Sequence, residues 1–401
     1  MPESTHRRSR KWFGMPRWLT ITLAVVAVLA VVMLVRVGRQ PFAQPVLTAE
    51  LEREGRRVFR DETFGNEAFW TDTARLHEVV DQDIQPIEAL RLGLKVDVDR
   101  LNLLKFVLHN PLATSGTREL LRQHAVVGVR ATFGADGRIA RIGITCAFCH
   151  STVDNALLPG IGHRLDGWPN RTLQTGQILA KLAHFSEPQK TVLRSWPKGT
   201  YDPRFSVDGI STPLVLPPAY GLARIKNETY TAEGPISYWN AYVAVTQMHG
   251  RGNFSDSRLG INIVQTPDLV TPRLPALQAY QHSITAPTPP SSSYNTAAAA
   301  RGKTVFGVHC AQCHVNGNLT DNNDGILHEP SETGMDARYA ERTSQKKYRT
   351  TPLRGLWQHA PYFHDGSAAT LDDVVDHYAR VRKFQITSEQ RRDLIEYLKS
   401  L

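Results

Sequence analysis

Cys146-Ala-Phe-Cys149-His150 and Cys310-Ala-Gln-Cys313-His314 use every cysteine of the 401-residue chain, in two copies of one spacing. C-x-x-C-H is what covalent haem attachment requires: two thiols reach the two vinyl groups, and the next residue brings an imidazole to the iron. Paired C-x-x-C motifs can also hold zinc, but a zinc site has no use for a histidine directly after each pair. Nothing remains for a disulfide scaffold or a free thiol. The motifs therefore predict two covalently bound haem c groups, attached at Cys146, Cys149, Cys310 and Cys313 and ligated by His150 and His314.

Covalent haem is attached outside the cytoplasmic membrane, and the N-terminus agrees. Trp18–Val35 is an unbroken run of 18 apolar residues and threonines, long enough to cross a bilayer and long for a signal-peptide core. More positive charge precedes it than follows it, so the positive-inside rule predicts a cytoplasmic tail (1–17), a transmembrane anchor (18–36) and a periplasmic remainder on the inner membrane. A cleaved signal peptide is the alternative, but no convincing small-x-small site follows. The same segment explains the net charge of +9: residues 1–39 hold seven basic residues and one acid, leaving +3 for the rest. A nucleic-acid-binding surface is not indicated.

The remainder reads as mainly α. Residues 46–125 carry helical spacing, as in Leu101, Leu104 and Leu108, with Pro86 and Pro111 as breaks. Val126 to Phe133 and Ile139 to Ile144 alternate around Gly134-Ala135-Asp136-Gly137 and predict a hairpin running into Cys146. Residues 160–280 are rich in Pro and Gly, with short helices at best. The expected organisation is an N-terminal haem domain over 46–282, a Pro/Ser linker over 283–296 and a C-terminal cytochrome c domain over 297–401. There a helix leads to Cys310, Thr370 starts another, and Thr387 with Gln390 makes a capping box for the last.

Tyr348 to Tyr378, with Thr351-Pro352-Leu353-Arg354, Ala360-Pro361-Tyr362-Phe363-His364-Asp365-Gly366 and the helix from Thr370, resembles the C-terminal domain of the bacterial di-haem cytochrome c peroxidase superfamily, MauG type included. His328 and Thr333-Gly334-Met335 resemble the stretch that precedes those elements. The resemblance covers about residues 297–401. It implies two cytochrome c-like haem domains, the first here with a β-hairpin and long loop insertions, and it points to Arg354 and His364 as cofactor-binding residues. Around the first haem it is weaker: Pro159-Gly160-Ile161-Gly162-His163 is similar to the stretch that supplies a displaceable distal ligand, which would be His163. About a hundred extra residues precede Cys146, and 172–295 do not align.

For the second haem, the family position matches Tyr378, where the peroxidases have methionine and the MauG type has tyrosine. Met335, His364 and His377 are alternatives, and a core role is open to Tyr378. For the first haem the candidates are His163, Met248, His249 or an open site, and His163 could equally be a surface histidine. Peroxide cleavage needs a distal acid–base group, for which Glu187, Glu228, Glu233 and Gln247 are available. Asp321-Asn322-Asn323-Asp324-Gly325 is similar to a calcium loop, and the superfamily often holds one calcium ion between its haem domains. The Glu that completes an EF-hand is missing, so an Asx turn is the plainer reading. Trp168, Trp239 and Trp357 could relay electrons or simply pack.

The expected function is a membrane-anchored periplasmic di-haem oxidoreductase. It would reduce hydrogen peroxide, or use oxygen, at the first haem, with electrons from a redox partner protein or quinol-linked donor passing through the second. The alternative is an electron-transfer cytochrome with both haems six-coordinate.

Overall fold

Capping chemistry sets the C-terminal helices. Thr370 accepts from the backbone N–H of Asp373, whose carboxylate reaches back to Thr370, and the helix Leu371–Val381 follows. Thr387 and Gln390 do the same for Ser388–Lys399. These reciprocal bonds satisfy N–H groups that the first helical turn leaves unpaired. The last helix crosses Thr296–His309 at Gly302, where an added Cβ would lie 1.9 Å from the Asp393 carbonyl. That close approach seats Val305, Phe306, Leu394 and Leu398 with Leu356, Leu371 and Val375 in one buried cluster. The helix before Cys310 is thereby fixed from both sides.

The computed structural model describes residues 48–315 and 317–401. The expected cytoplasmic tail and membrane anchor lie outside them. Among the described residues no helix is long and apolar enough to cross a membrane.

Among the described residues the fold is mainly helical, interrupted by five two-stranded sheets. Helices Ala49–Asp61 and Leu274–Ser283, more than 200 residues apart in sequence, pack at Gly55, whose added Cβ would lie 1.9 Å from the Ala276 carbonyl. Val58, Phe59, Tyr242, Met248, Leu277 and Tyr280 share the resulting core with Ala147 of the first C-x-x-C-H motif. A second core lies under the predicted hairpin, whose strands are Val129–Phe133 and Ile139–Ile144, with a register shift at Thr132/Phe133.

Pro86 marks the expected break: the helix Leu76–Asp83 ends before it and Pro86–Arg91 starts on it, since its missing N–H is harmless in a first turn. Leu103–Leu108 is helical, but the face that carries Leu104 and Leu108 is exposed, not buried.

Candidate functional site

The first motif is held by the strand before it and the loop after it. Ile139–Ile144 delivers the chain to Thr145, and a single turn, Ala147–His150, carries the motif. Gly128 makes this possible: with φ +77° and an added Cβ only 2.2 Å from the Phe148 backbone, no side chain fits. The Cys149 carbonyl accepts from Asn170 N–H at 2.9 Å and the His150 carbonyl from Gly167 N–H at 2.8 Å. His150 Nδ1 donates to the Pro217 carbonyl at 3.1 Å. That bond leaves the lone pair on Nε2, the atom that would ligate an iron. Burial pushes both thiols up to about 12 and the imidazole down to about 4, so the histidine is neutral and free to ligate.

The second motif repeats the device. His314 Nδ1 lies 2.9 Å from the Leu319 carbonyl, and burial lowers its pKa. Cys310, Cys313 and His314 line a pocket of about 240 Å³, and Met335, Arg354, His364 and Tyr378 line it too. Burial, reinforced by the two thiols, pushes the Tyr378 hydroxyl up to about 12. His377 turns aside, its Nε2 donating to the Thr333 carbonyl at 2.8 Å. The His364 ring is engaged by Tyr348, Nε2 to hydroxyl 3.1 Å. Arg354 bridges the Gly221 carbonyl and the Asn318 side chain.

Two sequence candidates do not come to the first motif. In Gly162-His163-Arg164 the neighbours are buried and His163 is exposed, because successive residues of an extended chain face opposite ways. The His163 imidazole is 57% exposed and bonds Asp99 at 2.8 Å, so it is not a distal ligand in this structure. Glu187 is 73% exposed at the start of Glu187–Arg194 and pairs with Lys190 at 3.0 Å, which makes it a solvated helix-end charge and not a catalytic acid.

Gln247 and Met248 fare differently. Gln247 is buried, accepting from the Tyr201 hydroxyl at 2.8 Å and donating to Ser206 at 3.1 Å. The Cys149 thiol is among the groups that raise the Tyr201 pKa, after burial. Met248 packs in the cluster that holds Ala147 and borders Cys146. His249 stacks on Phe69, ring centroids 3.5 Å apart. Glu228 and Glu233 are buried and already committed, to His282 and Arg204 respectively.

The Asp321–Gly325 loop is an interlock. The Asn322 side chain exchanges hydrogen bonds with Asn227, and Asn323 Oδ1 accepts from Lys226 N–H. Asp321 Oδ2 accepts from His328 at 2.9 Å. Among its buried side-chain oxygens only Asp321 Oδ1 lacks a partner, whereas calcium takes six to eight oxygens. The loop is a turn that ties residues 224–227 to the second motif. Cys313, Asp321 and His328 lie close enough to suggest a metal triad, but Cys313 belongs to the motif.

One part of the site carried no local sequence signal. Arg171 Nη2 lies 3.2 Å from the His359 ring, across 188 residues, and His359 lines the second pocket. Burial, followed by the Arg171 charge, drives His359 down to about 3. The other Arg171 nitrogens are buried without partners, and so are Arg349 Nε and Trp357 Nε1. Apolar walls, a neutral free imidazole at each motif and unpartnered buried donors beside them fit haem, whose propionates need such donors.

These features define a haem c protein of the cytochrome c type. A family described as RoxA-like, cytochrome c-like matches residues 347–385. The methylamine utilization protein MauG of Methylorubrum extorquens is 32% identical over 116 residues, 23% of this chain and 30% of that protein. MauG of Methylophilus methylotrophus is 30% identical over 121 residues, 26% and 36% respectively. The matched part thus spans about a third of the length of these relatives. Hydrazine synthase of Kuenenia stuttgartiensis superposes with TM-score 0.36 at 18% identity over 52% of this chain and 78% of that one. A MauG-like protein associated with microbial copper homeostasis gives 0.34 at 17% over 50% and 85%. Over part of its length the chain is thus similar to MauG proteins and to a RoxA-like cytochrome c family.

Proposed function

We propose that the chain is a di-haem oxidoreductase tethered to the inner membrane through Trp18–Val35, with two cytochrome c-like haem domains in the periplasm. Haem, when bound, supplies an iron that changes oxidation state and can activate peroxide. Hydrogen peroxide takes up two electrons and two protons at the first site to give two waters, the electrons coming from a redox partner or quinol-linked donor through the second. His150 and His314 would hold the irons, Pro217 and Leu319 keeping their rings in place, and Tyr378 would be a further ligand at the second site. Gln247, held by Tyr201 and Ser206, orients the substrate at the first, and no calcium ion is assigned.

The observation that carries this reading is the aromatic contact between the two sites, Trp168 against Trp357 with ring centroids 6.0 Å apart. Trp168 stands between Gly167 and Asn170, whose N–H groups bind the first motif, and Trp357 stands between Leu356 and His359 in the wall of the second pocket. A carrier with two independent haems has no need of such a bridge.

The test is the purified holoprotein: two haems by mass, a high-spin first haem, and oxidation by one equivalent of peroxide withdrawing two electrons. The carrier reading has one observation in its favour, the burial of Met248 beside the first motif. Two low-spin haems that ignore peroxide at every potential would establish it instead.

A further inference from the structure

Leu103–Leu108 reads Leu-Leu-Lys-Phe-Val-Leu, five apolar residues in six. A helix apolar on all sides belongs inside a protein, yet only Phe106 turns toward the core. Leu104 is 70% exposed, Leu108 73% and Leu112, just beyond, 76%. Beneath the helix lies an apolar cavity of about 250 Å³, bordered by Leu101, Phe106, Pro111 and Ile87, and Ile87 is itself exposed. The helix is thus neither buried by the fold nor tightly seated on it. A contiguous apolar face of this kind marks a contact surface.

Charge identifies the contact. From Arg100 to Arg118 the chain carries Arg100, Lys105 and Arg118 and no carboxylate. Arg100 and Arg118 are held by Asp61 and Asp81, which leaves Lys105 as the cation among the leucines; leucines around a lysine suit the interface of an anionic bilayer. Reach agrees. Residues 36–48, between the apolar run and the first helix, extend to about 40 Å at most. The helix Ala49–Asp61 is about 20 Å long, and Asp61 at its far end is hydrogen-bonded by Arg100 at 3.1 Å, three residues before the leucine helix. A chain anchored through Trp18–Val35 can therefore lay this face on the membrane that holds it.

We propose that Leu103–Leu108, with Leu112 and Ile87, is a second membrane contact, lying in the lipid interface with Lys105 at the headgroups. It rests on the anchored reading of the N-terminus and adds an orientation to it: the exposed face of Leu103–Leu108 turns to the bilayer.

The test uses the full-length holoprotein, whose own cysteines carry haem, so that Leu104→Cys is the free thiol. It is labelled with an environment-sensitive nitrobenzoxadiazole dye and reconstituted into phosphatidylcholine vesicles with and without phosphatidylglycerol. The label should shift to the blue and lose emission to lipids bearing a shallow nitroxide, more so with phosphatidylglycerol present. The same label at exposed Glu389 should stay unquenched. Adding Leu108→Glu should abolish the quenching at 104. Resistance of vesicle association to alkaline carbonate reads the anchor separately. An anchored protein unquenched at 104 overturns the interface contact and leaves the anchor standing. Quenching at 104 with association lost in carbonate supports the contact and overturns the anchor, and failure of both measurements overturns both. Quenching equal at 104 and 389 means unspecific adsorption and overturns the contact. So does a blue shift without lipid quenching, which means a second copy if it depends on protein concentration and residues 1–46 if it does not.

Discussion

The Trp168 indole meets the Trp357 indole edge-on, ring centroids 6.0 Å apart and planes at 82°. Tyr220 joins Trp168 at 6.3 Å. The pair is anchored on both sides, through Gly167 and Asn170 at the first motif and through Leu356 and His359 in the second pocket. An aromatic that only filled space could be exchanged for another at little cost, whereas one that passes electrons could not.

Trp168→Phe separates the two roles. Both are large aromatics, so the stability cost should stay within about 1–3 kcal/mol. Electron exchange between the haems should slow by at least about tenfold, the equivalent of about 1.4 kcal/mol on the barrier. Flash photolysis or stopped-flow reduction followed at the two haem bands checks this. Unchanged exchange would leave the pair as packing alone.

Tyr378→Phe tests the second site. The hydroxyl lies in the same pocket as Cys310, Cys313 and His314 and is hard to ionise there without a metal. Loss of a tyrosinate ligand should shift the second haem's spectrum and raise its potential. Met335→Leu, a change of similar volume in the same wall, should leave both nearly as they were. The opposite result would make Met335 the ligand.

The features legible in the sequence were the local ones. The C-x-x-C-H spacings, the hairpin around Gly134–Gly137 and the caps at Thr370 and Thr387 each depend on residues within a few positions of one another. The face of His163 does not: it follows from the alternation that buries Gly162 and Arg164, set by pairing with strands elsewhere in the chain. Arg171 against His359, and Trp168 against Trp357, join segments nearly 190 residues apart, and no spacing rule reaches that far. The leucines of 103–108 misled in another way. Helical periodicity marks an apolar face but does not say whether protein or another phase covers it.

Gly302→Ala tests whether the final helix pair shapes the second pocket. The added methyl would lie 1.9 Å from the Asp393 carbonyl, a backbone atom that cannot step aside. Forcing the helices apart should cost about 1–3 kcal/mol or more. Because Val305 and Phe306 precede Cys310 on the same helix, attachment of the second haem should fall along with the melting temperature. A variant that melts normally with two haems would mean that the helices move apart without disturbing the motif.

The hairpin Phe254–Asp256/Ile261–Ile263 supports the first site through Phe254, which packs in the cluster with Met248, and its stability should depend on pH. Asp256 accepts hydrogen bonds from Arg258, Tyr238 and the Arg258 backbone, which hold its carboxyl well below the usual range, Arg258 contributing most. A carboxylate whose pKa is depressed by folding stabilises the native state above its unfolded value of about 3.9. That contribution is lost as pH falls toward the lower folded value. Asp256→Asn should therefore cost about 1.5–3 kcal/mol at pH 7, the range for hydrogen bonds to a charged group. The gap between wild type and variant should close progressively below about pH 4. Denaturant unfolding of the two holoproteins between neutral and acid pH measures it. A gap of constant size would show that Asp256 acts through its shape and neutral hydrogen bonds, and that its charge contributes nothing to holding the hairpin against the first site.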